Sequence, residues 1–377
     1  MRTRARAIAI PFVAVATWAS AAAFGTACSS TNTDPTDAGP AEAAVDGGAD
    51  GEGGTTEPQW TPVLEGLEGA LLSVWGSSAT DIWAVGGSLG NGGDAYVLRF
   101  DRNVWRRVRP GGTETYWWVH GTSASDVWLV GEKGRITHWD GTKFVETPSG
   151  TTATLFGVWA AAPDDAWAVG GIPDQPSEPN DVVLHWDGTS WKPETLPEKK
   201  KVTLFKVWGA NKDDVYVVGD VGIVWHRRGG TWTREAEGVA RGRITTVTGC
   251  SATEVYAVGG RDLLTRSADG TWTRSAVPLV NDVNGIACIP QGTEARSWGR
   301  VVVVGGGSLK LRLVGNEWRD DFGSEPFVDL HGAWVDPSDG AFWGVGGRYL
   351  ASPVPGASRS GVVARFGPGA VSRTLEK

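Results

Sequence analysis

The stretch "LFGVWAAAPDDAWAVGG", residues 155–171, joins an apolar run to an aromatic run through a polar hinge and ends on a glycine pair. Its second half returns as "DIWAVG", "DVWLVG", "DAWAVG", "DVYVVG", "EVYAVG", "VVVVG" and "AFWGVG", closing on glycines at positions 86, 131, 170, 219, 259, 305 and 346. Intervals of 45, 39, 49, 40, 46 and 41 residues mark seven copies of one unit, the signature of a repeat architecture. The sixth and seventh copies are the most degenerate.

Every unit keeps one internal order. An apolar run ("LLSVWG", "YWWVHG", "LFGVWA", "LFKVWG", "ITTVTG", "VNGIAC", "LHGAWV") precedes the hinge and the aromatic run. A third run follows ("VLRFD", "ITHWDG", "VLHWDG", "IVWHRR"), then a fourth opened by Trp105, Phe144, Trp191, Trp232, Trp272 or Trp318. Each run is short, rich in Val, Ile and aromatics, and bounded by Gly, Asp, Asn or Pro, so each reads as a strand. Asp-Gly in "WDGTSW" and "ADGTW" marks a tight hairpin between the third and fourth strands. The fold expected is therefore all-β: a seven-bladed β-propeller with four antiparallel strands per blade. Blade seven lacks a Trp-led fourth run after Gly367, and "EPQWTPVLE", residues 57–65, supplies one through Trp60. Ring closure by this N-terminal strand is expected, with "AVSRTLE", residues 370–376, as the alternative.

Composition agrees with this reading. Fifty-four glycines and 21 tryptophans against one methionine in 377 residues call for many turns and buried indoles, not long helices. Residues 1–28 stand apart as a lipoprotein-type signal: Arg2, Arg4 and Arg6, an apolar stretch, then Gly25-Thr26-Ala27-Cys28. Lipidation of Cys28 is expected, against ordinary cleavage after small residues near Ala19-Ser20-Ala21 or an uncleaved membrane helix. Residues 29–56 are acidic and rich in Gly, Ala and Thr, with no aromatic and no Lys or Arg, so they read as a disordered tether. The propeller then occupies 57–377. The chain's formal charge of −8 is carried largely by the tether's acids. A near-balanced folded part leaves no electrostatic footprint for nucleic acid.

"VWGSSATDIWAVGG", "SDVWLVGEKGRITHWDGTKF" and "DVYVVGDVGIVWHRRGGTW" resemble tectonin-type repeats and the related BNR-like propellers of bacterial secreted and assembly-factor proteins. The resemblance implies a propeller lipoprotein and, through the tectonin side, lectin-like binding of surface glycans.

Catalytic motifs are missing from the sequence. "SADGTW" sets Asp269 directly before Gly270, one residue too tight for a sialidase-like Asp box, and HExxH and zinc-spaced cysteine pairs are absent. No enzyme activity, cofactor or metal is expected. Asp81, Asp126, Asp165, Asp214 and Glu254 recur at one repeat position and read as turn acids that satisfy the backbone before the second strand. His138 and His185 stand where Arg99 and Arg365 stand in other units, as third-strand surface positions. Cys250 and Cys288 fall at nearly the same point of the first strand in units five and six, and an exported chain permits a disulfide there; two buried free thiols are the other reading.

Loop lengths separate two faces. Loops from strand one to two and from three to four are short and uniform, and they share one face. Loops from two to three and from four to the next one vary widely on the other, where binding usually resides. First-strand Trp117, Trp118, Lys206 and His331, with Arg109, Lys199, Lys200, Lys201, Arg241 and Arg243 from adjoining loops, are the candidate ligand-binding residues. Aromatics beside basic groups suit a sugar or an anionic polymer. The function expected is a non-catalytic binding module with lectin-like recognition of envelope or surface polysaccharide, monomeric and held on the outer membrane through its lipid. A scaffold for an envelope protein complex and a glycoside hydrolase-like propeller are the alternatives.

Overall fold

The computed structural model describes residues 57–88, 94–173, 180–198, 202–277, 279–294, 296–349 and 360–376. The signal with Cys28, the tether 29–56, and Lys199, Lys200 and Lys201 lie outside these residues. Among the described residues no helix is long and apolar enough to cross a membrane.

The chain forms a seven-bladed all-β propeller, with six four-stranded sheets and one of five strands among the described residues. Blade four shows the pattern. Leu204–Asn211, Asp214–Gly219, Val224–Arg228 and Thr231–Glu235 follow one another, each antiparallel to the last. The first strand of every blade touches the first strand of the next, from blade seven back to blade one, so these strands surround the axis.

A polar side chain at the end of the first strand makes the tight turn into the second. Ser78, Ser123 and Ser251 accept the backbone N–H two residues on, at 3.2–3.3 Å, and Asn211 does so at 3.0 Å. The recurring acids are thereby released for other work, which corrects the expectation that they satisfy the turn backbone. Asp81 holds Arg99 at 2.8 Å, and Asp126, Asp165 and Asp214 hold His138, His185 and His226 at 2.6, 3.4 and 2.8 Å.

Those partners stand in register opposite the second-strand aromatics and lie on them. His138 stacks on Trp128 at 4.1 Å, His185 on Trp167 at 4.2 Å and His226 on Tyr216 at 4.0 Å, while the Arg99 guanidinium lies 4.8 Å above Trp83. The histidines are thus lids over buried rings, not free surface positions. His226 also stands 2.8 Å from Glu235. Burial alone would raise that carboxyl, but His226, Arg266 and Trp272 outweigh it and hold it at about 2.

Two rows of aromatic contacts join the blades. The second-strand ring of one blade meets the fourth-strand ring of the next edge-on: Trp128 with Trp191, Trp167 with Trp232, Tyr216 with Trp272 and Trp343 with Trp105, at 5.3–6.4 Å. Nearer the axis, the indole in each "VWG" lies on the glycine of the next blade. A Cβ on Gly76, Gly121 or Gly209 would stand 2.7, 2.8 or 2.5 Å from Trp334, Trp75 or Trp159, and Gly249 is held closer still by Trp208. Blades two, five and six break this row, because His120, Thr248 and Ala287 replace the indole. Between blades five and six, Cys250 and Cys288 form a disulfide, with the Cα atoms 5.2 Å apart.

Closure follows the N-terminal route. Trp60–Leu67 pairs antiparallel with Ser360–Phe366 as the outer strand of blade seven. Trp60 is 3% exposed and donates its indole N–H to Asp321 at 3.1 Å, as Trp232 and Trp272 donate to Glu194 and Glu235 at other junctions. The 370–376 segment does not close the last blade. Its Leu375–Glu376 pairs parallel with Trp105 and Arg106, as a fifth strand on blade one.

Candidate functional site

The first strand of each blade points its opening residues toward the axis at the variable-loop end. Second positions are Leu72, Trp117, Phe156, Phe205, Thr245, Asn284 and His331; third positions are Ser73, Trp118, Gly157, Lys206, Thr246, Gly285 and Gly332. Ten of these, with Pro173 and Arg243, line a cavity of about 310 Å³. Among the described residues no Asp or Glu lines it.

One wall is a continuous arc of rings. Trp117 meets Phe156 edge-on at 5.0 Å, Phe156 meets Phe205 at 5.2 Å, and the Arg243 guanidinium closes the arc 4.8 Å from Phe205. Arg243 is exposed and pairs with Asp220 at 2.6 Å. His331 is half-buried, with Nε2 3.0 Å from the Gly347 carbonyl, and burial lowers its pKa.

The floor is a three-blade arrangement. Lys206 of blade four reaches past Gly157 of blade three, whose missing side chain leaves the passage; a Cβ there would stand 2.9 Å from the Lys206 Cα. Its ammonium donates to the Phe156 carbonyl at 2.8 Å and lies 3.5 Å above the Trp118 ring of blade two. Only 8% of Lys206 is exposed, and no carboxylate among the described residues pairs with it. Burial drives its pKa well below the ordinary lysine value.

Trp118 also lines a second cavity, of about 270 Å³, opening from the short-loop side. Trp75, Trp159, Trp208 and Trp334 surround that one together with His120. His120 accepts the Ala160 N–H at 3.1 Å, and burial pushes its pKa down to about 4. Trp118 and Lys206 therefore separate the axis into two wells.

The structure gathers Trp117, Trp118, Lys206, Arg243 and His331 from the sequence-predicted set. Arg241 is exposed and does not line the well; its backbone N–H donates to Asp262 at 2.5 Å. Arg109 pairs with Asp94 at 3.2 Å and is likewise outside it. Lys199, Lys200 and Lys201 fall outside the described residues, as does Cys28. Phe156, Phe205, Thr245 and Asn284 were missed, although each occupies the same repeat position as Trp117. No group of three or more His, Cys, Asp or Glu side chains that could hold a metal lies among the described residues.

No family model matches the chain, and no curated protein does. Solved propellers do. YCF48 bound to D1 peptide superposes with a TM-score of 0.59 at 13% identity, over 83% of this chain and 100% of that one. YCF48 from Cyanidioschyzon merolae gives 0.59 at 14%, over 82% and 99%. The RRP9 WD40 repeats give 0.61 at 10%, over 83% and 99%. At these identities the likeness is one of fold, and the chain shares with these structures the propeller architecture.

Proposed function

We propose that this chain is an exported, lipid-anchored propeller that acts as a non-catalytic binding module, with lectin-like recognition of envelope or surface polysaccharide at the variable-face well. The observation that carries this reading is the pairing of an aromatic arc with a buried ammonium that has no carboxylate partner among the described residues. Ring faces suit the apolar face of a sugar, and the few polar groups at one end fix its orientation. Among the described residues, the lining offers no carboxyl to act as the general acid of glycoside hydrolysis.

The test is a glycan array probed with the purified chain, followed by titration of any hit. Phe205→Ala is expected to weaken binding about tenfold, or about 1.4 kcal/mol, whereas Lys212→Glu on the short-loop face leaves it unchanged. An anionic ligand should bind less tightly as salt shortens the Debye length from about 10 Å at 0.1 M to about 3 Å at 1 M. Binding that Lys212→Glu abolishes and Phe205→Ala spares would place the ligand on the other face.

A second reading, a scaffold that holds a protein partner in an envelope complex, is favoured by one comparison: a structurally similar propeller is known with a bound peptide. Crosslinking that recovers one protein through the variable face, with a blank array, would select it. The anchor has its own check. Cys28→Ser is expected to move the protein from the membrane to the soluble fraction, and unchanged partitioning would rule out lipidation at Cys28.

A further inference from the structure

The well is closed at its floor, and this restricts what it can read. Trp118 lines both axial cavities, with the Lys206 ammonium on its face and the Phe156 carbonyl beside it. Gly157, Gly285 and Gly332, at the same level, let neighbouring first strands draw together: a Cβ on each would stand 2.8–3.0 Å from the next strand's backbone. Ser73 and Thr246 close the level further, Ser73 by accepting the Val119 N–H at 3.3 Å and Thr246 by donating to the Asn284 carbonyl at 2.7 Å. A polymer cannot thread past this level.

A cavity of about 310 Å³ sits at the small end of the roughly 300–1,000 Å³ range of ligand pockets. It has room for the last unit of a chain and not for a run of units passing through. The charge at the bottom is then informative. An ammonium held in apolar surroundings without a counter-ion is costly, and a ligand that delivers an anion to it relieves that cost. Arg243 at the rim is already matched by Asp220, and it accordingly leaves the floor as the place where a ligand's negative charge counts most.

On these grounds we infer that the variable-face well recognises the carboxylate-bearing terminal sugar of a polysaccharide, end-on, with Lys206 as the counter-charge and Trp117, Phe156 and Phe205 against the ring. This deepens the glycan reading and rests on it. It differs from binding along a chain, in which any interior unit would serve.

The experiment compares oligogalacturonate trimers with long polygalacturonate and with carboxyl-reduced trimers, by calorimetric titration of the full chain. End-on recognition predicts one protein per chain at both lengths, and at least a tenfold preference for the acidic trimer over the reduced one. Lys206→Met should remove that preference, while Lys206→Arg, which keeps the charge, should retain part of it. Stoichiometry that rises with the number of units per chain would overturn the end-on inference and leave the glycan reading standing. Equal affinity for acidic and reduced trimers would overturn the role of Lys206. No binding to these probes or to any glycan of the array would overturn both readings together. The stoichiometry needs no variant, so a poorly folding Lys206→Met chain does not prevent a decision.

Discussion

Trp60→Ala should lower the stability of the propeller by about 3–5 kcal/mol, the usual cost of deleting a fully packed indole. Trp60 lies with Phe366 at 5.8 Å, among Val302, Leu330 and Phe342, and its N–H reaches Asp321 on the neighbouring blade. It therefore serves two blades and the strand that closes the ring. Removing residues 370–376 should cost far less, because only Leu375 and Glu376 pair there and both are at least partly exposed. Urea unfolding of the two variants decides the matter. Equal, small losses would mean that the ring does not depend on its N-terminal strand.

Replacing both Cys250 and Cys288 by serine should cost on the order of 4 kcal/mol, the chain-entropy value for a cross-link spanning 38 residues. The position makes a loss of that size reasonable. Both cysteines are buried, and they join two blades between which no indole reaches a glycine. Melting with and without reductant gives a second readout: the wild-type chain should lose stability on reduction and the double serine variant should not respond. An unresponsive wild type would show that the bond contributes nothing to holding blades five and six together.

Much of this architecture could be read from the sequence, because each unit carries its own strand and turn signals. The closing strand could be found for the same reason, since Trp60 opens a run like those of the other fourth strands. The acids were misread on a physical ground that sequence spacing does not expose. Asp81 and its counterparts stand beside a turn, but Ser78 or its equivalent already caps that turn, and only the pairing register brings Arg99 or a histidine opposite. The well was half visible. Trp117, Trp118, Lys206 and His331 attracted notice as departures from their repeat positions, whereas Phe156 and Phe205 looked like ordinary core residues of a strand. That they line a cavity depends on seven first strands converging on one axis, which no single unit reveals. Arg241 and Arg243 are two residues apart, yet only Arg243 faces that axis.

Where a blade makes the indole-on-glycine contact on both sides, it has two unlike edges, a projecting ring on one side and a bare backbone patch on the other. Such a contact is head to tail, and repeating it with a fixed rotation generates a closed ring, as in cyclic assemblies of separate subunits. Blades one and four carry both edges, so a copy of either could in principle sit beside itself. Blade six carries neither: Ala287 projects too little, and Cys288 occupies the receiving position. It is the member of the circle that cannot be exchanged for a neighbour, whereas a duplication or loss of units would be tolerated most readily at blades one and four. The disulfide beside blade six thus marks where the repeat stops being modular and the circle acquires a fixed order.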